Sequence, residues 1–494
     1  MIQFYEPSHT AYYDRKAIEQ DLNLVTIVRG MALREYEDEP HILEELLHPL
    51  QEKEQIRQRQ QVVKACCEHP EFIKECHWHI VKAAGKLEGE MDSILDSRGK
   101  NHLNETLIST HLEALRTVVY ATAALQQICE REKDKLQGTG LDTFVEAWFT
   151  ELPPEQVKEQ IELVENLDGF KRKGEITLRG HMAEGLLLKD MEVTDAREKV
   201  QKGSRKWLSR DKGSMILDER MFESAVEFID SVLVEILEGC VPYLKKWQEN
   251  FRLLRRQAAF LYGCSKLYRH EQELNFLFSF PEQEKAEILG LYDLSLALQT
   301  HKNPVSNSLK MEGYDALVIT GANQGGKSTF LRSMGIAQVL CQAGMYVPAG
   351  QYPLQVYQGI FTHFTRREDA SMTMGKFEEE LVRMQEILRH AKSGSLILLN
   401  ETFATTTEIT AYQIAMDLMQ ACLDTTVVVW TVTHITSFAR DLYKKQPERV
   451  LFLSAGREAN QEQRYTMVPK EPENTSYGLE LYDEIIARRK EYPC

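Results

Sequence analysis

The segment Gly321-Ala-Asn-Gln-Gly-Gly-Lys-Ser328 carries glycine, then glycine, lysine and a hydroxyl residue at the spacing GxxxxGK[ST]. That spacing builds a cradle for phosphates. Glycines let backbone N–H groups close around phosphate oxygens, and a helix that starts at the lysine adds the partial positive charge of its N-terminus. Lys327 then reaches the β- and γ-phosphates, and Ser328 is placed to ligate Mg²⁺. A second group ends the run Ser395-Leu-Ile-Leu-Leu-Asn-Glu401. A nucleotide hydrolase places a metal-associated Asp and then a catalytic Glu at such a strand end. Here Asn400 takes the first position, and Glu401 can still accept a proton from an attacking water. A third apolar run ends at Thr433-His434, where an imidazole facing the phosphates can sense or polarise a γ-phosphate or water.

Such residues converge only if strands deliver them to one edge. Apolar runs at 316–319, 396–399, 427–432 and 450–453 alternate with helical patterns, which predicts an α/β domain with a mostly parallel sheet from about residue 302 onward. The earlier chain has a different texture. Residues 21–129 place apolar side chains at three and four spacing with little Gly or Pro, as in Ile42, Leu43, Leu46 and Leu47, and long helices are expected at 219–251 and 253–277. Between them, residues 169–193 change period. Ile176-Thr-Leu178 and Leu186-Leu-Leu188, bounded by Gly174, Gly180 and Gly185, predict a small β-containing insertion.

Composition bounds what this assembly does. The 494 residues include 59 Lys or Arg, 75 Asp or Glu and 43% hydrophobic side chains, giving a net charge of −16. This is a globular composition, long enough for about three domains. No apolar run reaches the roughly 18 residues of a membrane helix, and MIQFYEPSHT has neither a basic leader nor an apolar stretch, so a cytoplasmic location and no membrane partner are expected. Nine cysteines, an odd number dispersed from Cys66 to Cys494, are read as reduced thiols. The cluster Cys66, Cys67, His69, Cys76, His77 and His79 lacks a CxxC pair and reads as helix, turn, helix. An acidic chain does not coat nucleic acid indiscriminately, so DNA contact requires a local basic patch. Residues 171–212 supply the one candidate, with 12 Lys or Arg against 7 Asp or Glu. Lys171, Arg172, Lys173, Arg205 and Lys206 are its DNA-contact candidates.

Taken together these motifs resemble the ATPase domain of the MutS mismatch-repair family, an ABC-type ATPase. ITGANQGGKSTFLRSMGIAQVLCQAGMYVPA at 319–349 is similar to that family's P-loop, following helix and Tyr-Val-Pro-Ala segment. Phe361-Thr-His-Phe-Thr-Arg366 resembles its next strand, Lys376-Phe-Glu-Glu-Glu-Leu381 its signature helix, Val432-Thr-His434 its switch histidine and Ser476-Tyr-Gly-Leu479 its near-C-terminal motif. Leu47-His-Pro-Leu50 and Ile56-Arg-Gln-Arg-Gln60 resemble the start of its helical core and lever domain. The resemblance implies a P-loop ATPase domain at 301–494, helical core and lever segments at 1–168 and 213–300, and a clamp-like basic insertion at 169–212. It implies ATP and Mg²⁺ as cofactors, held by Gly321, Asn323, Gly325, Gly326, Lys327, Ser328, Thr329 and Asn400, with metal ligation by Ser328, Asn400 and Glu401. Glu401 would be the base, His434 the switch and Glu380 the signature-helix acid. A homodimer is implied in which each ATP lies between one P-loop and the partner's signature helix, with nucleotide state moving a clamp on double-stranded DNA.

Departures from the family pattern refine this. Asn400 keeps acceptor capacity but lacks the charge that supports Mg²⁺, so slow hydrolysis is expected. Met374-Gly375-Lys376 stands where the family has a Ser-Thr pair, and the loop 402–407 replaces a Gly-rich run, so altered subunit coupling is expected. Phe4-Tyr5-Glu6 imitates a mispair-stacking wedge, but an isolated short motif needs structural context, so within mismatched, branched or distorted DNA the branched or otherwise distorted forms are the expected ligand ahead of a specific mismatch. The alternative reading is a nucleotide-dependent dimeric scaffold that engages a protein partner, with little or no mismatch specificity.

Overall fold

The computed structural model describes residues 1–8, 10–33, 35–97, 104–183, 187–198, 219–311, 313–322, 324–365, 375–455 and 465–472. The apolar three-and-four spacing yields helices α1 (Arg15–Asp21), α2 (Leu24–Ala32), α3 (Glu39–Leu46) and α4 (Lys53–Glu68), then α5 (Pro70–Ser97), α6 (Asn104–Leu136), α7 (Asp142–Thr150) and α8 (Pro154–Lys173). A hairpin of β1 (Gly174–Ala183) and β2 (Leu187–Glu198) precedes α9 (Glu219–Gly239) and α10 (Val241–Glu273). The remainder alternates: β3 (Glu287–Leu291), α11 (Leu294–Thr300), β4 (Asn307–Lys310), β5 (Ala316–Thr320), α12 (Lys327–Gln342), β6 (Ile360–Phe364), α13 (Lys376–His390), β7 (Leu396–Asn400), α14 (Glu408–Asp424), β8 (Val428–Val432), α15 (Thr436–Lys445), β9 (Val450–Ala455) and β10 (Met467–Pro469). Among the described residues no helix is long and apolar enough to cross a membrane. The chain divides into two compact units, Met1–Phe4 with Glu71–Ala258, and Tyr5–Pro70 with Ala259–Cys494.

In the first unit, aromatic rings join the helices. Phe4 stacks on Phe144 with centroids 3.9 Å apart, Phe144 meets Trp148 edge-on at 6.0 Å, and Trp148 lies 6.5 Å from Trp247. Phe4 is thus a core residue, and its N–H donates to Gln257 Oε1 at 2.9 Å. Two helix boundaries differ from the periodicity. The expected break near residue 252 is absent, because α10 runs unbroken from Val241 and the interruption falls at Cys240. Pro242, which has no N–H to donate, is tolerated only in the first turn of a helix and so fixes the start there. The change of period expected at 169 comes at Gly174 instead, where α8 gives way to the antiparallel pairing of Gly174 with Glu198 through Ala183 with Leu187.

The second unit is built on a six-stranded sheet in the order β10-β9-β5-β8-β7-β6, parallel throughout except for β10. All residues of β6 and β9 are buried. Helices cover both faces of such a sheet, which is why its strands read as unbroken apolar runs rather than as alternation. Gly335 lets α12 come close: a Cβ there would lie 2.6 Å from Leu22 Cδ2 and 2.8 Å from Leu398 Cδ2.

The amino-terminal motifs serve this same unit. Leu50 N–H donates to Gln342 O at 2.8 Å, and Gln342 Nε2 donates back to Leu50 O at 3.1 Å. Arg59 is buried, paired with Glu45 at 3.2 Å, hydrogen-bonded to Glu6 O at 3.3 Å, and set 4.2 Å over the Tyr5 ring. Gly344, at φ +72°, leaves room for it, since a Cβ would lie 2.7 Å from Arg59 Cβ. Removing one partner of a buried pair strands the other charge, so Arg59→Ala is expected to cost about 3 kcal/mol or more. Urea denaturation measures this; the double substitution Arg59→Met with Glu45→Gln, which leaves no orphaned charge, is expected to cost less than the single one.

Candidate active site

β5 delivers the chain to the cradle. Its apolar residues are buried between β8 and β9, and at Gly321 the backbone turns at φ +119°. A side chain at Gly321 would put Cβ 2.9 Å from Ala455 N, and one at Gly325 would put it 2.8 Å from Ala455 Cβ. Gly326, at φ +83°, is the N-cap of α12. Only glycine adopts these turns without strain. Lys327 folds back over the turn and donates to Gly321 O and Ala322 O, each at 2.9 Å. Burial pushes its ammonium below the ordinary lysine range, while the Glu401 carboxylate opposes that shift. A desolvated cation satisfied by two neutral carbonyls gains most from an incoming anion.

The end of β7 faces the cradle. Ser328 Oγ donates to Asn400 Oδ1 at 2.8 Å. Glu401, at φ +52°, donates its N–H to Val432 O at 2.9 Å, and Thr365 Oγ1 donates to Asn400 O and Glu401 O, both at 3.1 Å. A cavity of about 300 Å³ is lined by Gln324, Gly325, Gly326, Lys327, Ser328, Thr329 and Glu401, the one acid among them. Beside it lies a more apolar cavity of about 390 Å³, formed by Tyr292, Leu296, Pro304, Val305, Phe330 and Tyr465 among others. The two cavities share Gln324, Gly326 and Thr329. Asn307 also lines the more apolar cavity, and its Oδ1 accepts from Met467 N–H at 2.7 Å.

Gly325, Gly326, Lys327, Ser328, Thr329 and Glu401 therefore meet around one cavity, with Gly321 at its entry turn and Asn400 bonded to Ser328. His434 is exposed just beyond β8 and is not among the lining residues. Glu380 is buried on α13 and turned toward its own chain's loop, where Thr405 Oγ1 donates to its carboxylate at 3.1 Å. Burial pushes the Glu380 carboxyl above its usual range, opposed by the hydrogen bond from Thr405. Asn323, Arg205 and Lys206, along with the Ser476-Tyr-Gly-Leu479 motif, lie outside the described residues. Lys171, Arg172 and Lys173 are the last residues of α8, with only their backbone described. The residues of the apolar cavity escaped the sequence reading. Its one local signal was Pro304-Val305, an apolar pair set within a polar stretch.

Comparison with known proteins places these features. The family model for MutS domain V matches residues 317–487, and that for the MutS2 N-terminal domain matches residues 51–274. The DNA mismatch repair protein MutS of Thermus aquaticus is 30% identical over 195 residues, covering 38% of this chain and 23% of the relative. Endonuclease MutS2 of Pediococcus pentosaceus is 26% identical over 205 residues, covering 41% and 25%, and human DNA mismatch repair protein Msh3 is 25% identical over 220 residues, covering 41% and 18%. The matches thus span a quarter or less of the length of each of these relatives. One MutS-type family model thus covers the helical part and another covers the part that holds the phosphate cradle, so the findings support a MutS-family protein.

Proposed function

We propose that this chain binds and slowly hydrolyses ATP as a homodimer and uses nucleotide occupancy to change its hold on double-stranded DNA, with preference for branched or distorted duplex. The observation that carries the reading is a pair of neighbouring cavities whose linings share Gln324, Gly326 and Thr329. The glycine turn, Lys327 and Glu401 offer a phosphate end, and Tyr292, Pro304, Val305 and Tyr465 offer an apolar end of about 390 Å³ for a nucleoside. The names of the relatives, which are repair proteins and an endonuclease, support DNA as the ligand.

The residues fit Mg²⁺ and a triphosphate. Ser328 Oγ and Asn400 Oδ1 already converge, as two oxygen ligands of a hard cation must. Bound there, Mg²⁺ would neutralise charge on the phosphate oxygens. Lys327 binds the β- and γ-phosphates in place of its two carbonyl partners. Glu401 takes the proton from the attacking water, with its backbone fixed by Val432 and Thr365. His434 is read as the switch at the γ-phosphate. Because the Asn400 amide brings no charge to the metal, turnover is slow.

The β1–β2 hairpin between α8 and α9 supports a clamp-like element at 169–212, within helical segments at 1–168 and 213–300 that precede the ATPase domain at 301–494. Lys171, Arg172, Lys173, Arg205 and Lys206 are its proposed phosphate contacts. Gel retention tests the DNA half of the proposal. ATP should alter retention of a four-way branched duplex more than that of linear homoduplex, Lys327→Ala should abolish the ATP effect, and charge reversal at the five basic positions should abolish retention while leaving ATP-driven dimerisation intact. Absence of retention at low salt, where phosphate contacts are strongest, overturns that half and favours a protein partner. In the ATPase assay Asn400→Asp should raise Mg²⁺-dependent turnover by about tenfold, equivalent to ~1.4 kcal/mol of barrier. Unchanged turnover contradicts the role given to the amide.

A further inference from the structure

Between Glu401 and α14 the chain reads Thr402-Phe403-Ala404-Thr405-Thr406-Thr407, and α13 is bonded to this loop. The buried Glu380 carboxylate accepts the Thr405 hydroxyl at 3.1 Å. His363 on β6, fully buried, bridges the same two elements. Its Nε2 lies 3.2 Å from Glu380 O, and its Nδ1 lies 3.4 Å from Thr402 Oγ1. A carbonyl only accepts, so Nε2 carries the proton, and Nδ1 of the neutral ring then accepts the Thr402 hydroxyl. One tautomer satisfies both contacts.

The loop requires such restraint. Glu401 at φ +52° and Phe403 at φ +67° both adopt the left-handed conformation without being glycine, and backbone of that kind persists only where its surroundings hold it. Phe403 is seated in the core, packed among residues such as Leu399, Leu418 and Phe438, and so anchors the loop that Thr405 ties to Glu380. The same turn carries Glu401, which lines the phosphate cavity.

We infer that Glu380 and Thr405 are positioning residues for Glu401 of the same chain, forming with His363 a latch through which any shift of α13 is transmitted to the base. This rests on the reading of Glu401 as the base of ATP hydrolysis and deepens it. The signature-helix acid acts inward on its own catalytic loop, and a nucleotide pressing on α13 from a partner subunit sets the base through the latch. The hydroxyl of Thr405 is the coupling group, in a loop where the family pattern has a Gly-rich run.

The test uses the full chain with Thr405→Ala, Thr405→Ser, Glu380→Gln and Glu401→Gln. Hydrogen exchange in the nucleotide-free protein should show the amides of the 402–407 loop opening faster in Glu380→Gln and Thr405→Ala, by about tenfold, with the β-sheet amides unchanged. Steady-state kinetics should show kcat lowered by about tenfold in both, with the KM for ATP and the calorimetric affinity held within about twofold, and Thr405→Ser restored to the wild-type rate. Faster exchange without a change in kcat, a loss confined to ATP affinity, or a Thr405→Ser variant as slow as Thr405→Ala overturns the latch while leaving the ATPase reading in place. Glu401→Gln turning over as fast as wild type overturns the base assignment and the latch with it.

Discussion

The structure of the second unit turns on one ammonium. Lys327 is buried beneath a glycine turn, satisfied by two backbone carbonyls, and held out of the water that would stabilise its charge. Desolvating a cation is costly unless a counter-charge arrives, and an anion bound at the turn supplies it. Most of the neighbouring features follow from building such a turn and keeping it open. β5 runs between two parallel neighbours, so its end cannot drift. Ala455 crowds Gly321 and Gly325, so no side chain fits where backbone N–H groups must face inward.

The helix that begins at this turn is held at both ends. At its start the Gly326 cap and Lys327 belong to the cradle. At its end Gln342 exchanges hydrogen bonds with Leu50, and Arg59, anchored by Glu45, packs against Gly344 just beyond. Gly335 lets the middle of the same helix press on Leu22 and Leu398. A change at the phosphates therefore has a rigid element to act through. A second route leaves from Glu401 by way of the strained 402–407 loop to α13. The site has two outlets, one through packing and one through hydrogen bonds.

Much of this was legible in the sequence, for identifiable reasons. The four apolar runs became β5, β7, β8 and β9 within a residue or two, because a sheet covered on both faces demands continuous apolar strands. The GxxxxGK[ST] spacing located the cradle because its glycines are set by local backbone geometry, which a sequence carries directly. What escaped reading depends on distant partners. Periodicity alone ran a helix boundary past Cys240, where Pro242 decides it. Glu380 gave no sign that it faces inward, because that follows from Thr405, 25 positions away. The apolar cavity is assembled from the segments around Tyr292, Pro304, Phe330 and Tyr465, none of which marks a pocket by itself. Phe4, suggestive as part of a tripeptide, proved to be a stacked core ring, and Arg59 within its charged motif proved to be a buried ion-pair partner.

The central claim is that an adenine nucleotide occupies the two neighbouring cavities and supplies the counter-charge for Lys327. Titration calorimetry of ATP into the purified chain measures it most directly. The account predicts saturable binding near one nucleotide per chain, lost in Lys327→Ala while the variant remains folded. No uptake of ATP by the wild-type chain, or uptake of equal strength by Lys327→Ala, would contradict it.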